Sequence, residues 1–176
     1  GCMFANSLQT IIDAGKKSDA EDIFKRFDQH VDNIIKIGIE YPSHEVFYEQ
    51  AIVAPAVTFI LDKYRLCGDE RYLHEAKKHL EVLRRFDGFQ PDHRLHNIAV
   101  RYWDNFWFGK SHFYVDSMPH YWSVYSGVAF AYYGKLANDK NATEYGLECA
   151  RNNLSLFDEQ GRGYSNYIYP DFINEQ

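Results

Sequence analysis

The chain alternates between stretches that are apolar on one side and stretches that are apolar almost all round. Between residues 19 and 38, the large apolar side chains recur three and four positions apart, which predicts an amphipathic helix with one face in water. Residues from about 45 to 66 are apolar on nearly every side, a pattern typical of a helix surrounded by neighbours. The first two long elements are therefore predicted to be one half-exposed helix and one buried helix.

The same two patterns then repeat. Residues from about 70 to 86 carry a narrow apolar stripe, made of Leu73, Ala76, Leu80 and Leu83. Residues from about 119 to 136 are again apolar all round, with small side chains that allow close neighbours, and residues from about 141 to 157 are amphipathic. Together with a short helix at about 4–14, this order predicts an all-α fold of three helical hairpins, with buried inner helices and half-exposed outer helices.

Turn residues mark where these helices end. Gly15 closes the first helix, and Ser18 with Glu21 fits a capping box that opens the second. Pro55 predicts a kink in the buried helix or a helix start nearby. The segments 66–69 and 136–139 look alike, because each joins a buried helix to a half-exposed one and ends in Asp.

Two segments do not follow the helical pattern. Residues from about 87 to 117 form a long connection, and a loop of that length in a compact domain usually has a function. The tail at 161–170 is GRGYSNYIYP, in which turn signals precede a Tyr-rich run that can pair as a short strand.

Composition narrows the class of protein. A chain of 176 residues with 45% hydrophobic content fits one globular domain over residues 1–176. The net charge of −6 and the lack of a basic stripe argue against nucleic acid and anionic lipid as partners, and no run is long and apolar enough for a membrane span. Cys67 and Cys149 lie in apolar helical stretches, which predicts that both are small buried residues.

The sequence between residues 101 and 127 concentrates the candidate chemistry. It holds all three Trp residues of the chain, with Tyr, His, Asp and Arg interleaved among them. The apolar face of a sugar ring stacks on aromatic rings, while its hydroxyls need fixed polar partners, so this mixture favours a carbohydrate site. The alternative is that these aromatic residues are all core.

Four strings resemble a known family: HEVFYEQAIVAPAV (44–57), YLHEAKKHLEVLRRFDGFQPD (72–92), RYWDNFWFG (101–109) and DSMPHYWSVYSG (116–127). They are similar to the last hairpins of large six-hairpin glycosidase-like proteins, which have an (α/α)6 toroid fold. The resemblance covers most of the chain from about residue 34 onward. It implies that the chain is about half of such a toroid and a fragment of a longer α/α protein.

In such toroids, the resemblance implies, the loops and first turns that lead into the inner helices line the substrate funnel. This maps the substrate-binding residues to His44, Glu45, Arg101, Trp103, Trp107, His120, Tyr121 and Trp122. Glycoside hydrolysis needs two carboxyl groups, one acid and one base or nucleophile, and the candidates are Glu49, Asp104 and Asp116. The expected function is a glycoside hydrolase acting on an oligo- or polysaccharide, with no cofactor and no metal. The isolated fragment is expected to be inactive.

Each candidate also has a structural interpretation. Glu49 is an acid in an apolar stretch, which is costly unless the group is functional or is bonded to a Tyr or to Arg101. Asp104 fits a loop cap, Asp116 fits a helix N-cap before Pro119, and His120 fits a core histidine. The alternative function is a non-catalytic helical-hairpin module that binds glycan or protein.

The metal and phosphate motifs in the chain are weak. HxxH at 93–96 lacks a helical HExxH context, and GRGYS at 161–165 lacks the Lys of a phosphate-binding loop. Half a ring of hairpins also leaves an apolar flank without a neighbour, which predicts self-association or pairing with a missing N-terminal half. By analogy with the family, the protein is expected to be secreted or on the cell surface.

Overall fold

The computed structural model describes residues 2–38, 50–84 and 123–164. These residues form six α-helices and a short 3₁₀ turn. The helices are α1 (Cys2–Asp13), α2 (Lys17–Ile37), α3 (Gln50–Cys67), α4 (Arg71–Leu83), α5 (Ser123–Ala137) and α6 (Lys140–Asn152), and the 3₁₀ turn η1 is Asn153–Leu156. The predicted all-α class of paired helices is confirmed over the described ranges.

The six helices pack as three consecutive hairpins. Helix α1 packs on α2, α3 on α4, and α5 on α6, while α3 also contacts α1, α2 and α5. Helix α3 is therefore the centre of the described array, and its residues 53–63 are buried apart from Pro55. This burial explains why its sequence is apolar on nearly every side.

The two similar sequence joints have similar geometry. Gly68 ends α3 with φ of +71°, and Asn138 ends α5 with φ of +53°, so both residues adopt the left-handed conformation that terminates helices. The Asp69 carboxylate then accepts a hydrogen bond from the backbone N–H of Arg71 (3.0 Å), and the Asp139 carboxylate accepts one from the N–H of Ala142 (3.0 Å). Both joints are thus a left-handed residue followed by an Asp that satisfies the next helix start.

The first hairpin turns differently, and the capping-box prediction is wrong. Gly15, with φ of +75°, donates its N–H to the Ile12 carbonyl (2.9 Å), and Lys16 donates to the Ile11 carbonyl (3.1 Å). These two bonds complete the C-terminal turn of α1. The next helix begins at once, with Lys16 as its N-cap and no side-chain cap. Ser18 therefore lies inside the first turn of α2 rather than before it.

The amphipathic stripes predicted for the outer helices are confirmed for α2 and α4. In α2, Phe27 and Val31 are fully buried, and the other apolar residues of the stripe pack partly buried against the same core. In α4, Leu73, Ala76, Leu80 and Leu83 are all buried. Tyr72, His79 and Val82 of α4 are also buried, although the predicted stripe did not include them. The Nδ1 of His79 lies 2.8 Å from the Glu75 carbonyl oxygen.

Helices α5 and α6 approach each other through glycines. A Cβ on Gly127 would lie 2.9 Å from the Gly146 carbonyl oxygen, and a Cβ on Gly134 would overlap the backbone of Thr143. A Cβ on Gly146 would likewise overlap the backbone nitrogen of Ala131. The small residues predicted to allow close neighbours therefore lie where the two backbones touch.

Three burial predictions are wrong in the last hairpin and its neighbour. Helix α5 is exposed along one side, where Val128 is 50% accessible, so it is not surrounded. Helix α6 ends at Asn152, short of residue 157, and Leu154 and Phe157 are exposed. Cys67 is also exposed, because it is the last residue of α3, whereas Cys149 is buried as predicted.

The turn after α6 is stabilised by backbone bonds. Phe157 and Gly163 form an isolated antiparallel bridge, and Tyr164 donates its N–H to the Leu156 carbonyl (2.8 Å). The strand predicted at 161–170 is present only as this bridge among the residues that the structure describes. Across the described ranges, no helix combines the length and apolar character that crossing a bilayer requires.

Candidate functional site

All predicted site residues lie outside the described ranges. These are the carboxylate candidates Glu49, Asp104 and Asp116, and the binding candidates His44, Glu45, Arg101, Trp103, Trp107, His120, Tyr121 and Trp122. Their roles therefore stay predictions. The structure does describe the helices to which these residues are joined.

Helices α3 and α5 pack against each other. The hydroxyl of Tyr132 in α5 donates to the Asp62 carboxylate in α3 at 2.9 Å, and each residue lies five positions before the last residue of its helix (Ala137 and Cys67). We call the end of the α5–α6 hairpin at which α5 begins the entry end.

Two predicted segments lead directly into described helices. Glu49 immediately precedes Gln50, the first residue of α3, and Trp122 immediately precedes Ser123, the first residue of α5 at the entry end. Since α6 runs antiparallel to α5, its last residue, Asn152, lies at the entry end as well. The turn at 157–164 follows α6 there.

A buried polar network lies nearer the opposite end, where the joints are. Asp62 is 5% exposed, accepts the Tyr132 hydrogen bond, and has the Arg65 Nε at 3.7 Å. Burial, together with the hydrogen bond to the Asp62 carboxylate, raises the pKa of Tyr132 to about 12. The phenol is therefore protonated at neutral pH and acts as a donor, so it is unsuited to be a general base.

A second buried charge lies on the other side of α3. Lys63 is 5% exposed and donates to the Asp28 carboxylate of α2. Its ammonium also lies 4.2 Å from the ring centre of Phe24 and 5.7 Å from that of Tyr72. An ion pair flanked by aromatic faces compensates the desolvation of a buried lysine. This arrangement connects α2, α3 and α4 and accounts for the charge without a ligand.

Sequence reasoning did not single out Asp62 and Lys63, although the signal was present. Both are charged residues in a stretch that is otherwise apolar, which is the same argument that drew attention to Glu49. Which charged residue of such a helix is paired inside the protein depends on the partner helices. Here α2 supplies Asp28 and α5 supplies Tyr132.

A groove of about 580 Å³ lies between α1 and α2. Ile12, Ala20 and Phe24 contribute its apolar lining, and Glu21 and Asp32 are among its charged residues. The groove therefore belongs to the first hairpin. Gln50 and Ser123, which follow predicted site residues in the chain, begin the second and third hairpins. Among the described residues, no group of three or more His, Cys, Asp or Glu side chains is arranged to hold a metal ion.

The described fold defines a class: an all-α array of consecutive helical hairpins. No family model matches the sequence, and comparison with curated proteins also gives no match. A solved structure of a polysaccharide lyase (Polysaccharide Lyase BACCELL_00875) is similar, with 41% sequence identity and a TM-score of 0.75 over 93% of this chain. The chain spans only 24% of the length of that protein.

Proposed function

We propose that this chain is the helical part of a carbohydrate-active protein, and that it supplies one wall of a polysaccharide site at the entry end. The observation that carries the proposal is the 41% identity over 93% of the chain to a polysaccharide lyase. The chain order supports it, because α3 and α5 pack against each other and each directly follows a segment that holds predicted site residues.

The proposed reaction is lyase chemistry on a polysaccharide that contains uronic acids. In this elimination a base removes the proton from the carbon next to the carboxyl group, and the C–H electron pair becomes a new C=C bond. The glycosidic C–O bond breaks at the adjacent carbon, and the leaving oxygen takes a proton from an acid. Arg101 is proposed to bind the sugar carboxylate, His44 or His120 to act as the base, and Tyr121 to act as the acid.

Hydrolysis is the second candidate, because the same segments contain Glu49, Asp104 and Asp116. A glycoside hydrolase requires two of these carboxyl groups about 5 to 9.5 Å apart across the scissile bond. The two reactions differ in their products, because only elimination leaves an unsaturated sugar.

Product analysis distinguishes the two reactions. This chain, and any longer polypeptide that contains it, is incubated with polygalacturonate, chondroitin and a soluble cellulose. Elimination creates unsaturated ends that absorb ultraviolet light, while hydrolysis creates reducing ends without that absorbance. Since this chain supplies only one wall of the proposed site, we expect unsaturated ends from an acidic polysaccharide with the longer polypeptide. His120→Gln in that polypeptide should lose about 10²- to 10⁴-fold of the activity if His120 is the base.

The matched controls are two substitutions that each remove one charged side chain from an exposed helix surface. Glu144→Gln in α6 and Lys77→Gln in α4 change one charge each at exposed positions and should retain full activity. Reducing ends alone, lost in Glu49→Gln or Asp104→Asn, would favour the hydrolase instead. Glycan binding without any product would indicate a non-catalytic binding module. The absence of both binding and product would overturn the proposal.

A further inference from the structure

The turn after α6 presents an aromatic surface at the entry end. Phe157 is 54% exposed and Tyr164 is 37% exposed, and both lie in the hairpin-like turn at 157–164. A single exposed aromatic residue is ordinary, but two in one ordered turn are not explained by the packing of α6. The turn follows α6 at the entry end, where α5 also begins directly after the predicted site residue Trp122 in the chain.

The Phe157 ring is supported on one side. A Cβ placed on Gly163 would lie 3.0 Å from Cε1 of Phe157, so the ring packs against a residue with no side chain. The Phe157–Gly163 bridge and the bond from the Tyr164 N–H to the Leu156 carbonyl (2.8 Å) hold the backbones together. The ring therefore rests on the Gly163 backbone, while 54% of the residue stays accessible to a ligand.

A single carboxylate orders the polar part of the turn. Asp158 accepts hydrogen bonds from the N–H of Gln160 (3.0 Å), from the N–H and Nε of Arg162 (2.9 and 2.6 Å), and from the Tyr164 hydroxyl (3.0 Å). Burial raises the pKa of Asp158, but the bonds from Arg162, Tyr164 and Gln160 outweigh it and lower that pKa overall. The turn is thus preorganised around a charged acceptor.

The turn also offers hydrogen-bond donors next to the rings. The Arg162 side chain is 70% exposed, with its Nε on Asp158 and one terminal nitrogen 3.4 Å from the Gln160 side-chain oxygen. A guanidinium has five N–H donors, so donors are left for a ligand. Aromatic faces that stack on a sugar ring, beside fixed donors for its hydroxyl or carboxylate groups, are the chemistry by which proteins bind glycans.

We propose that the turn at 157–164 is an additional glycan-binding subsite, in which a sugar ring stacks on Phe157 while Arg162 and Gln160 bind its polar groups. This subsite adds described residues at the entry end to the predicted site residues. The inference rests on the proposed function for the identity of the ligand. Its geometry is independent of that function, because it uses only described residues.

The test measures binding to a panel of acidic and neutral oligosaccharides of at least six sugars, with wild type and variants compared on the tightest probe. Phe157→Ala should weaken binding about 5- to 10-fold, the loss expected for one stacking contact. Phe157→Tyr should retain the affinity. Melting temperatures of all variants are measured, so that a loss of fold is separated from a loss of contact.

Leu154→Ala is the matched control, because Leu154 is 66% exposed, lies in the same turn region and has no aromatic face. Stacking predicts unchanged glycan binding in this variant. A protein-docking surface predicts instead that Leu154→Ala and Phe157→Ala both alter association, measured by sedimentation. Equal glycan affinity of Phe157→Ala and wild type overturns the subsite, as does a wild type that binds no probe.

The outcomes also separate the subsite from the proposed reaction. Cleavage of polysaccharide with unchanged affinity in Phe157→Ala would reject the subsite alone. Binding that depends on Phe157, without any product from a longer polypeptide, would reject the reaction alone.

Discussion

At the scale of single residues, the described structure explains each buried charge by a partner on another helix. Asp62 and Lys63 are adjacent in α3 but face different helices, with Tyr132 of α5 bonded to the first and Asp28 of α2 bonded to the second. Removing one member of such a pair leaves a buried polar group without its bond, which is more costly than the bond itself is stabilising.

Replacing Tyr132 by Phe should reduce the free energy of unfolding by about 1 kcal/mol at pH 7, since Asp62 then loses a donor. The unfolded phenol has a pKa near 10, and the native one is raised to about 12, first by burial and then by Asp62. Between these values the native state binds more protons, so its stability falls as the pH rises. Urea unfolding between pH 7 and pH 11 measures this.

The stability difference between wild type and Tyr132→Phe should therefore be constant below about pH 9 and should shrink between pH 10 and pH 11. Tyr125→Phe is the control, because Tyr125 is an exposed tyrosine of the same helix. It should change the stability by less than about 0.5 kcal/mol at each pH. A pH-independent difference for Tyr132→Phe would contradict the assignment.

Cys67 and Cys149 should react with thiol reagents at very different rates. Cys67 is exposed at the end of α3, whereas Cys149 is buried in α6. A thiol reagent should therefore label Cys67 in the native protein and Cys149 only after denaturation. Peptide mass spectrometry of samples labelled with and without urea measures this, and rapid native labelling of Cys149 would show that the α5–α6 contact opens readily.

At the scale of elements, the α5–α6 hairpin depends on backbone contact. Gly127, Gly134 and Gly146 lie where the two helices touch, and a methyl group at the last two positions would overlap backbone atoms. Glycine is normally unfavourable within a helix by about 1 kcal/mol relative to Ala. Here close packing has overridden helix propensity.

Gly146→Ala and Gly134→Ala should therefore destabilise the protein by about 3 kcal/mol, although Ala is the better helix former. Gly127→Ala should have a smaller effect, because its nearest backbone atom is 2.9 Å from the added Cβ. Chemical denaturation of the three variants gives the ranking. A stabilising Gly146→Ala would show that the helices are separated in solution.

Of the fold, the sequence allowed prediction of the helices, their order and the two Asp-containing joints. Gly15 marked the end of α1, but the capping box at Ser18 and Glu21 was not formed, because the turn after Gly15 is short enough for Lys16 to serve both helices. The local sequence pattern cannot distinguish a helix that begins after Ser18 from one that begins after Lys16, because the start of α2 depends on how α1 ends.

At the scale of the whole molecule, the array has apolar surface at the side of α5. Val124, Tyr125 and Val128 are exposed along one face of a helix whose sequence is apolar all round. In a larger toroid, a face of this kind packs against a further helix. We propose that a second copy covers this surface when the chain is alone, since the chain spans only 24% of the similar polysaccharide lyase.

The chain should accordingly sediment at about twice its mass of 20.7 kDa at micromolar concentration. Val128→Asp places a charge on the apolar face and should return the protein to the monomer. Glu144→Lys is the charge-changing control, because Glu144 is exposed on α6, and it should not alter the sedimenting mass. A monomeric wild type would contradict the proposal.

The sequence by itself determined the all-α class and the buried stripes of α2 and α4, because apolar periodicity reports directly which side of each helix avoids water. It also indicated the aromatic and carboxylate residues of the predicted site, whose roles stay predictions. Only the tertiary structure decided which charges are paired, that one side of α5 is exposed, and that Phe157 is exposed rather than part of the core. These features depend on contacts between residues far apart in the chain, which no local pattern records.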